Sequence, residues 1–180
     1  MPDSTDVLGC AMFGTAIGSC GIAWGERGIV GVWLPESSEA KTRAHLARLG
    51  APELEPPDAV RKAIDDIVNL LTGTPNNLAD VVVDLGGVPE FHQRVYEIAR
   101  RIPPGKTLTY GDIAHELGMP GSAQAVGQAL GRNPVPIVVP CHRVLAAGGK
   151  DGGFSAPGGV STKRRMLVIE GALADEPTLF

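Results

Sequence analysis

Three short apolar runs occupy the first 35 residues, at 10–13, 19–24 and 29–34, and glycines separate them. Runs of that length bounded by turn residues read as strands, and Gly14, Gly18, Gly25 and Gly28 supply backbone conformations that L-residues resist. A helix is expected over 37–49, opened by Ser37 or Ser38, whose hydroxyl can accept from a first-turn amide. Pro52, Pro56 and Pro57 stiffen the connector 51–58. Over 58–71 the apolar residues Val60, Ile64, Ile67, Val68 and Leu71 fall on one side of a helix. The β-branched run 81–85 reads as an edge or return strand.

After Gly86-Gly87 the helical period takes over. Pro89 opens a helix with Phe91, Val95, Ile98 and Ile102 on one face, and Pro103-Pro104-Gly105 stops it. Two short helices follow, 110–117 and 123–131, across Gly118-Met119-Pro120-Gly121-Ser122, which is helix-turn-helix spacing. The segment 133–140 holds too much proline for a helix, and its apolar stretch 137–139 reads as extended chain leading into Cys141. A glycine-rich loop covers 148–159, and a last helix, 162–170, starts at Ser161 or Thr162 and ends at Gly171. The pattern predicts an α+β fold: a small strand-rich N-terminal domain over 1–86 and a mostly helical C-terminal domain over 87–180.

At 180 residues the chain can bury a real core, and 43% hydrophobic with 20% charged residues is ordinary for a globular protein. Three cysteines, Cys10, Cys20 and Cys141, form no paired framework and suit a reducing compartment. Asp3 and Asp6 stand where an export signal carries cations, and no apolar run reaches membrane length. A cytoplasmic location and no membrane association are therefore expected. The net charge of -4 argues at first against nucleic acid. The halves differ, however: residues 1–90 carry -7 and residues 91–180 carry +3. Any phosphate contact is expected in the second half, although such asymmetry also fits a merely solvated surface.

Cys141-His142 lies between the proline-rich run and the glycine-rich loop. A thiolate is the reactive form of cysteine and needs a base or positive surroundings near neutral pH, which His142 and Arg143 can offer. Taken alone, a single cysteine is more often buried and inert. In extended backbone, neighbouring side chains point apart, so His142 has to act through a turn or a water.

The whole string Asn133-Pro134-Val135-Pro136-Ile137-Val138-Val139-Pro140-Cys141-His142-Arg143-Val144 resembles the active-site signature of O(6)-alkylguanine-DNA alkyltransferases. The likeness extends over 91–171, including Tyr110-Gly111-Asp112-Ile113-Ala114, Ala125-Val126-Gly127 and Ile169-Glu170-Gly171. The first 85 residues resemble that family's N-terminal domain more loosely, which implies a ribonuclease-H-like fold there. The resemblance implies repair by irreversible alkyl transfer from guanine O6, or thymine O4, to Cys141 in a single turnover. It implies that His142 takes the thiol proton through water and that Glu170 orients His142. Tyr110 corresponds to the phenol that donates to the departing base, and Asn133 to the side chain that braces the nucleophile's turn. The carbonyls of Cys141 and Val144, with Ser155 and Phe154, correspond to the pocket that reads the extruded base. Ala123, Gln124, Ala125 and Gly127 fall on the helix that enters the minor groove of double-stranded DNA, with Lys106, Arg132, Arg143, Lys163, Arg164 and Arg165 around it available for phosphates.

The sequence departs from the family at three places. Gln124 stands where an arginine usually fills the gap left by the flipped base. Phe154 replaces a common tyrosine. The loop 154–159 is longer by two residues, Ala156-Pro157. Two other function classes remain in view: a non-catalytic lesion binder, whose relatives lack the cysteine, and a hydrolase-type thiol enzyme, which needs an oxyanion hole and turnover. No close Cys/His pair has metal-ligand spacing, so no metal and no cofactor are expected, and the chain is expected to act as a monomer.

Overall fold

The computed structural model describes residues 7–149 and 159–173. Strands β1 (Gly9–Thr15), β2 (Gly18–Gly25) and β3 (Gly28–Trp33) form an antiparallel meander in that order. The chain reverses at Gly18 and Gly28, with φ of 125° and 136°, where a Cβ is penalised. The two faces of the sheet serve different clusters. Ile22, Trp24, Ile29 and Val32 enter the main core, whereas Cys10, Ala23 and Val30 join Leu46 in a smaller one. Leu46 comes from α1 (Glu39–Ala47), whose first turn is capped by the Ser38 hydroxyl accepting from Lys41 N at 3.2 Å. Helix α2 (Asp58–Leu70) packs Val60, Ala63, Ile64, Ile67 and Leu70 into the main core, with Val68 at its margin.

The run 81–85 adds a bridge rather than a strand. Ile29 N–H donates to Val82 O at 2.9 Å and Asp84 N–H donates to Ile29 O at 2.8 Å, covering part of β3's outer edge. Further along that edge, the Val32 amide donates to the Pro134 carbonyl at 3.0 Å. The sheet is thereby joined to the loop that leads to Cys141. A second tie runs from Arg165 to the carbonyl of Ala16 in the β1–β2 turn.

The second half begins with α3 (Glu90–Arg100), which buries Val95, Tyr96, Ile98 and Ala99. Strand β4 (Leu108–Thr109) runs directly into α4 (Tyr110–Glu116), and a short turn leads to α5 (Ala123–Gly131). A capping box fixes the start of α4: Asp112 N–H donates to Thr109 Oγ1 at 3.0 Å, and Thr109 N–H to Asp112 Oδ2 at 2.9 Å. Cys141–Arg143 form one 3-10 turn, followed by β5 (Val144–Leu145) and α6 (Gly159–Ile169), which starts three residues before the expected helix. Strands β4 and β5 pair in parallel, Leu108 opposite Val144 and Thr109 opposite Leu145. That ladder holds the residue before Tyr110 beside the residues that follow the Cys141 turn. The main core is continuous from Ile22 through Val95, Val126 and Val139 to Met166. Among the described residues, no helix is long and apolar enough to cross a membrane.

Candidate active site

The approach to Cys141 is folded, not extended as the sequence suggested for 137–139. Ile137 adopts φ of 75° and Val139 N–H returns to Val135 O at 2.9 Å, closing a tight turn. Asn133 makes the turn possible. Its Oδ1 accepts from Val135 N–H at 3.0 Å, and its Nδ2 donates to Val139 O at 2.8 Å. A β-branched residue in the left-handed region costs about 1–3 kcal/mol, and it persists here because both ends of the turn are clamped. Proline content excluded a helix correctly; it carried no information about the sign of φ at Ile137.

Cys141 opens the 3-10 turn and is 9% exposed. Burial pushes its thiol above the ordinary value of 9.0; a hydrogen bond from Asn133, the positive charge of Lys163 and the amides of Cys141 and His142 pull the other way. The turn directs His142 inward, where it is 1% exposed. Its Nε2 lies 2.8 Å from Glu170 Oε1. Burial would raise the Glu170 carboxyl, but hydrogen bonds from Arg143 and His142 overcome it and hold the group down at about 2. An ionised carboxylate can only accept, so Nε2 of His142 carries the proton and neutral imidazole keeps its lone pair on Nδ1. Burial depresses the His142 pKa, outweighing the attraction of Glu170. Nδ1 is buried and has no hydrogen-bond partner among the described residues.

Arg143 now has a direction, which the sequence did not reveal. Its Nε and Nη2 reach Glu170 at 2.9 Å (Oε1) and 2.5 Å (Oε2), and Nη1 donates to the Ile102 carbonyl at 2.7 Å. Glu170 sits just past the end of α6, where the helix dipole disfavours an acid. Two buried cationic or donor partners offset that penalty.

Tyr110, the first residue of α4, is half-buried, and its pKa is raised by burial and by the charge of Cys141. A Cβ on Gly127 would lie 3.9 Å from the Tyr110 ring, an ordinary van der Waals contact, so the phenol ring packs over α5 at this position. The structure therefore brings Cys141, His142, Glu170, Tyr110 and Asn133 into one neighbourhood. Val144 is buried at its edge, in β5. Ala123 is half-buried, Gln124 and Ala125 are exposed on α5, and Arg132 is exposed at its end, all apart from the thiol's immediate partners. Phe154 and Ser155, with the longer loop around them, lie outside the described residues.

Two of the residues expected to hold phosphates do not reach them. Lys163 is fully buried and donates to the Val144 carbonyl at 2.8 Å, and Arg143, 2% exposed, is engaged by Glu170 and the Ile102 carbonyl. The series Lys163, Met166, Leu167, Glu170 is the inward face of α6, with a charge at each end. That i, i+3, i+4, i+7 spacing marks the buried face, which the adjacency of Lys163, Arg164 and Arg165 along the chain does not show. Arg165 is exposed and donates to Ala16.

Residues 90–172 match the family described as 6-O-methylguanine DNA methyltransferase, DNA binding domain. A methylated-DNA–protein-cysteine methyltransferase of Methanothermobacter thermautotrophicus is 36% identical over 151 residues, covering 84% of this chain and 78% of the relative. The crystal structure of Mycobacterium tuberculosis OGT in complex with DNA superposes with a TM-score of 0.73 at 34% identity, over 92% of this chain and 94% of that one. The O6-methylguanine-DNA methyltransferase of Pyrococcus kodakaraensis gives 0.69 at 28% identity, over 90% and 99%. With the relative from Methanothermobacter matched along most of both chains, the protein belongs to the methylated-DNA–protein-cysteine methyltransferase family.

Proposed function

We propose that this protein repairs DNA by moving an alkyl group from O6 of guanine onto Cys141, in a direct transfer that consumes the protein. The observation that carries this reading is the buried run Cys141, His142, Glu170, Arg143, in which Glu170 accepts from His142 and leaves Nδ1 as the basic atom. Through one bridging water, Nδ1 takes the thiol proton. The thiolate then attacks the alkyl carbon in line; the C–O bond breaks, its electron pair stays on the purine oxygen, and a C–S bond forms. Tyr110 donates a hydrogen bond to the purine as that negative charge spreads into the ring. A thioether does not hydrolyse under these conditions, so no free thiol returns and the reaction stops at one equivalent.

Reaching a stacked base requires the nucleotide to leave the duplex, at a cost of a few kcal/mol. Helices α4 and α5 work as a helix-turn-helix whose second helix enters the minor groove through Ala123, Gln124 and Ala125. Ala123, Ala125 and Gly127 are small, which lets backbone approach the sugar-phosphate wall, and Gln124 and Ala125 are exposed at the start of the helix. Arg132 and Lys106, both exposed, are the phosphate contacts. Val144 O and Ser155 read the edge of the base, and Phe154 supplies an apolar wall. Residues 1–86 form a ribonuclease-H-like domain and 87–180 the DNA-binding and transfer domain. The protein works as a cytoplasmic monomer.

Incubation with a duplex oligonucleotide holding one O6-methylguanine, followed by intact mass, tests the reading. The expected result is a gain of one methyl, at most one per chain, mapped to Cys141 and absent in Cys141→Ser. An unmodified Cys141 after exposure to the lesion would overturn it.

A further inference from the structure

Groups from several elements face the Cys141 thiol. Tyr96 of α3 and Tyr110 of α4 present phenols whose own ionisation the sulfur's charge opposes. Asn133 presents its amide, the turn presents the N–H groups of Cys141 and His142, and α6 presents Lys163. Arg143 and Glu170 stand behind His142, but they neutralise one another as a two-pronged ion pair. With His142 neutral, that cluster carries no net charge and does little for a negative sulfur. Lys163 is different: its side chain is fully buried, and its charge favours the thiolate.

Its anchor matters as much as its charge. The Val144 carbonyl accepts from Lys163 Nζ at 2.8 Å, while the Val144 amide donates to the Cys141 carbonyl and closes the 3-10 turn. Val144 also pairs with Leu108, two residues before Tyr110. One residue thus links the nucleophile's turn, the strand leading to Tyr110 and the ammonium of α6.

We propose that Lys163 is a positioning residue for alkyl transfer: its buried ammonium supplies the counter-charge for the Cys141 thiolate and, through the Val144 carbonyl, fixes the turn that carries the sulfur. This rests on Cys141 being the alkyl acceptor. No covalent step is added, and the thiol loses its proton to His142 as before.

The test uses the full chain with Lys163→Met, which keeps length without charge, and Lys163→Arg, which restores charge. Two rates are followed across pH: alkylation of Cys141 by iodoacetamide, read by peptide mass, and methyl transfer from the lesion-bearing duplex. Lys163→Met should slow both by about tenfold at neutral pH and move the Cys141 midpoint up by about one pH unit. The deficit should shrink at high pH, duplex affinity should stay unchanged, and Lys163→Arg should recover most of the rate. Equal slowing at every pH with an unmoved midpoint would mean a structural role only and overturn the proposal. Should the methionine variant not fold, the wild-type protein still decides: the 15Nζ resonance of Lys163 must report the Cys141 titration, and that step must vanish once the sulfur is methylated. A Lys163 signal indifferent to Cys141 overturns it as well. Wild-type protein that alkylates with iodoacetamide but takes no methyl from DNA refutes the repair function instead, and the iodoacetamide midpoint then still decides whether Lys163 is the counter-charge.

Discussion

His142 is held in one tautomer by a carboxylate that stays ionised down to about pH 2, and this makes its role testable at the level of a single atom. Replacing His142 by Ala removes the lone pair on Nδ1, so methyl transfer should slow most on the acid side of the profile, where hydroxide cannot substitute. A rate ratio that is flat with pH would exclude His142 as the base. Glu170→Gln acts differently. Gln cannot carry the charge that Arg143 needs, and both Arg143 and Glu170 are about 2% exposed or less at their side chains. Leaving Arg143 as an unpaired buried cation should cost about 3–5 kcal/mol of stability by denaturant titration. His142→Ala should cost far less, because it leaves the ion pair intact. If the two variants unfold at the same denaturant concentration, the pair is not the dominant structural element of the site.

At the scale of elements, the periodicities placed most of what they could place. The stripe of α2 and the face of α3 follow from apolar spacing and the short pair α4–α5 from the glycine-containing turn between them, and each buries one side against the same core. The Ser38 cap was legible for the same local reason. What local pattern could not show was long-range pairing. The run 81–85 became a bridge because β3 spends its outer edge on two partners, Val82–Asp84 and Pro134. The clamp by Asn133 and the reversed φ at Ile137 depend on contacts four to six residues apart, and Arg143's partner is 27 residues away. The tie between α3 and α5 was likewise invisible: the Tyr96 hydroxyl donates to the Ala129 carbonyl at 2.6 Å in a fully buried site. Tyr96→Phe should lose about 1 kcal/mol and loosen the C-terminal end of α5. Its DNA affinity should then fall while the iodoacetamide rate at Cys141 holds; the reverse pattern would mean that Tyr96 serves the thiol. Gln124 makes a complementary test on the exposed start of the same helix. Gln124→Arg should raise the rate on duplex DNA without changing attack on free alkylated guanine, since only the duplex pays for an emptied base stack. Equal change on both substrates would place Gln124 away from the flipping step.

For the molecule as a whole, the buried titrating groups bound the pH range of stability from both sides. His142 is depressed below its ordinary 6.5, so its contribution is complete above pH 6.5 and declines as pH falls below it. Glu170, held at about 2 against an ordinary 4.5, contributes above pH 4.5 and loses that contribution on the way down to about pH 2. Cys141 and Cys20 are raised above 9.0 by burial, Cys20 to about 11, so their contributions are present below pH 9.0 and disappear as pH rises through the folded values. Chemical denaturation should therefore give a plateau between pH 6.5 and 9.0 with a fall on each side; a maximum near pH 5 would contradict the burial of His142. The bond from Val32 to Pro134 and the one from Arg165 to Ala16 have a further outcome. They make the N-terminal meander a jig, gripping on one side the loop that presents the sulfur and on the other the helix that presents its acid and its cation. Lesions in that meander, some 100 residues upstream of the chemistry, should then surface as slow transfer by a protein that still finds and holds damaged DNA normally.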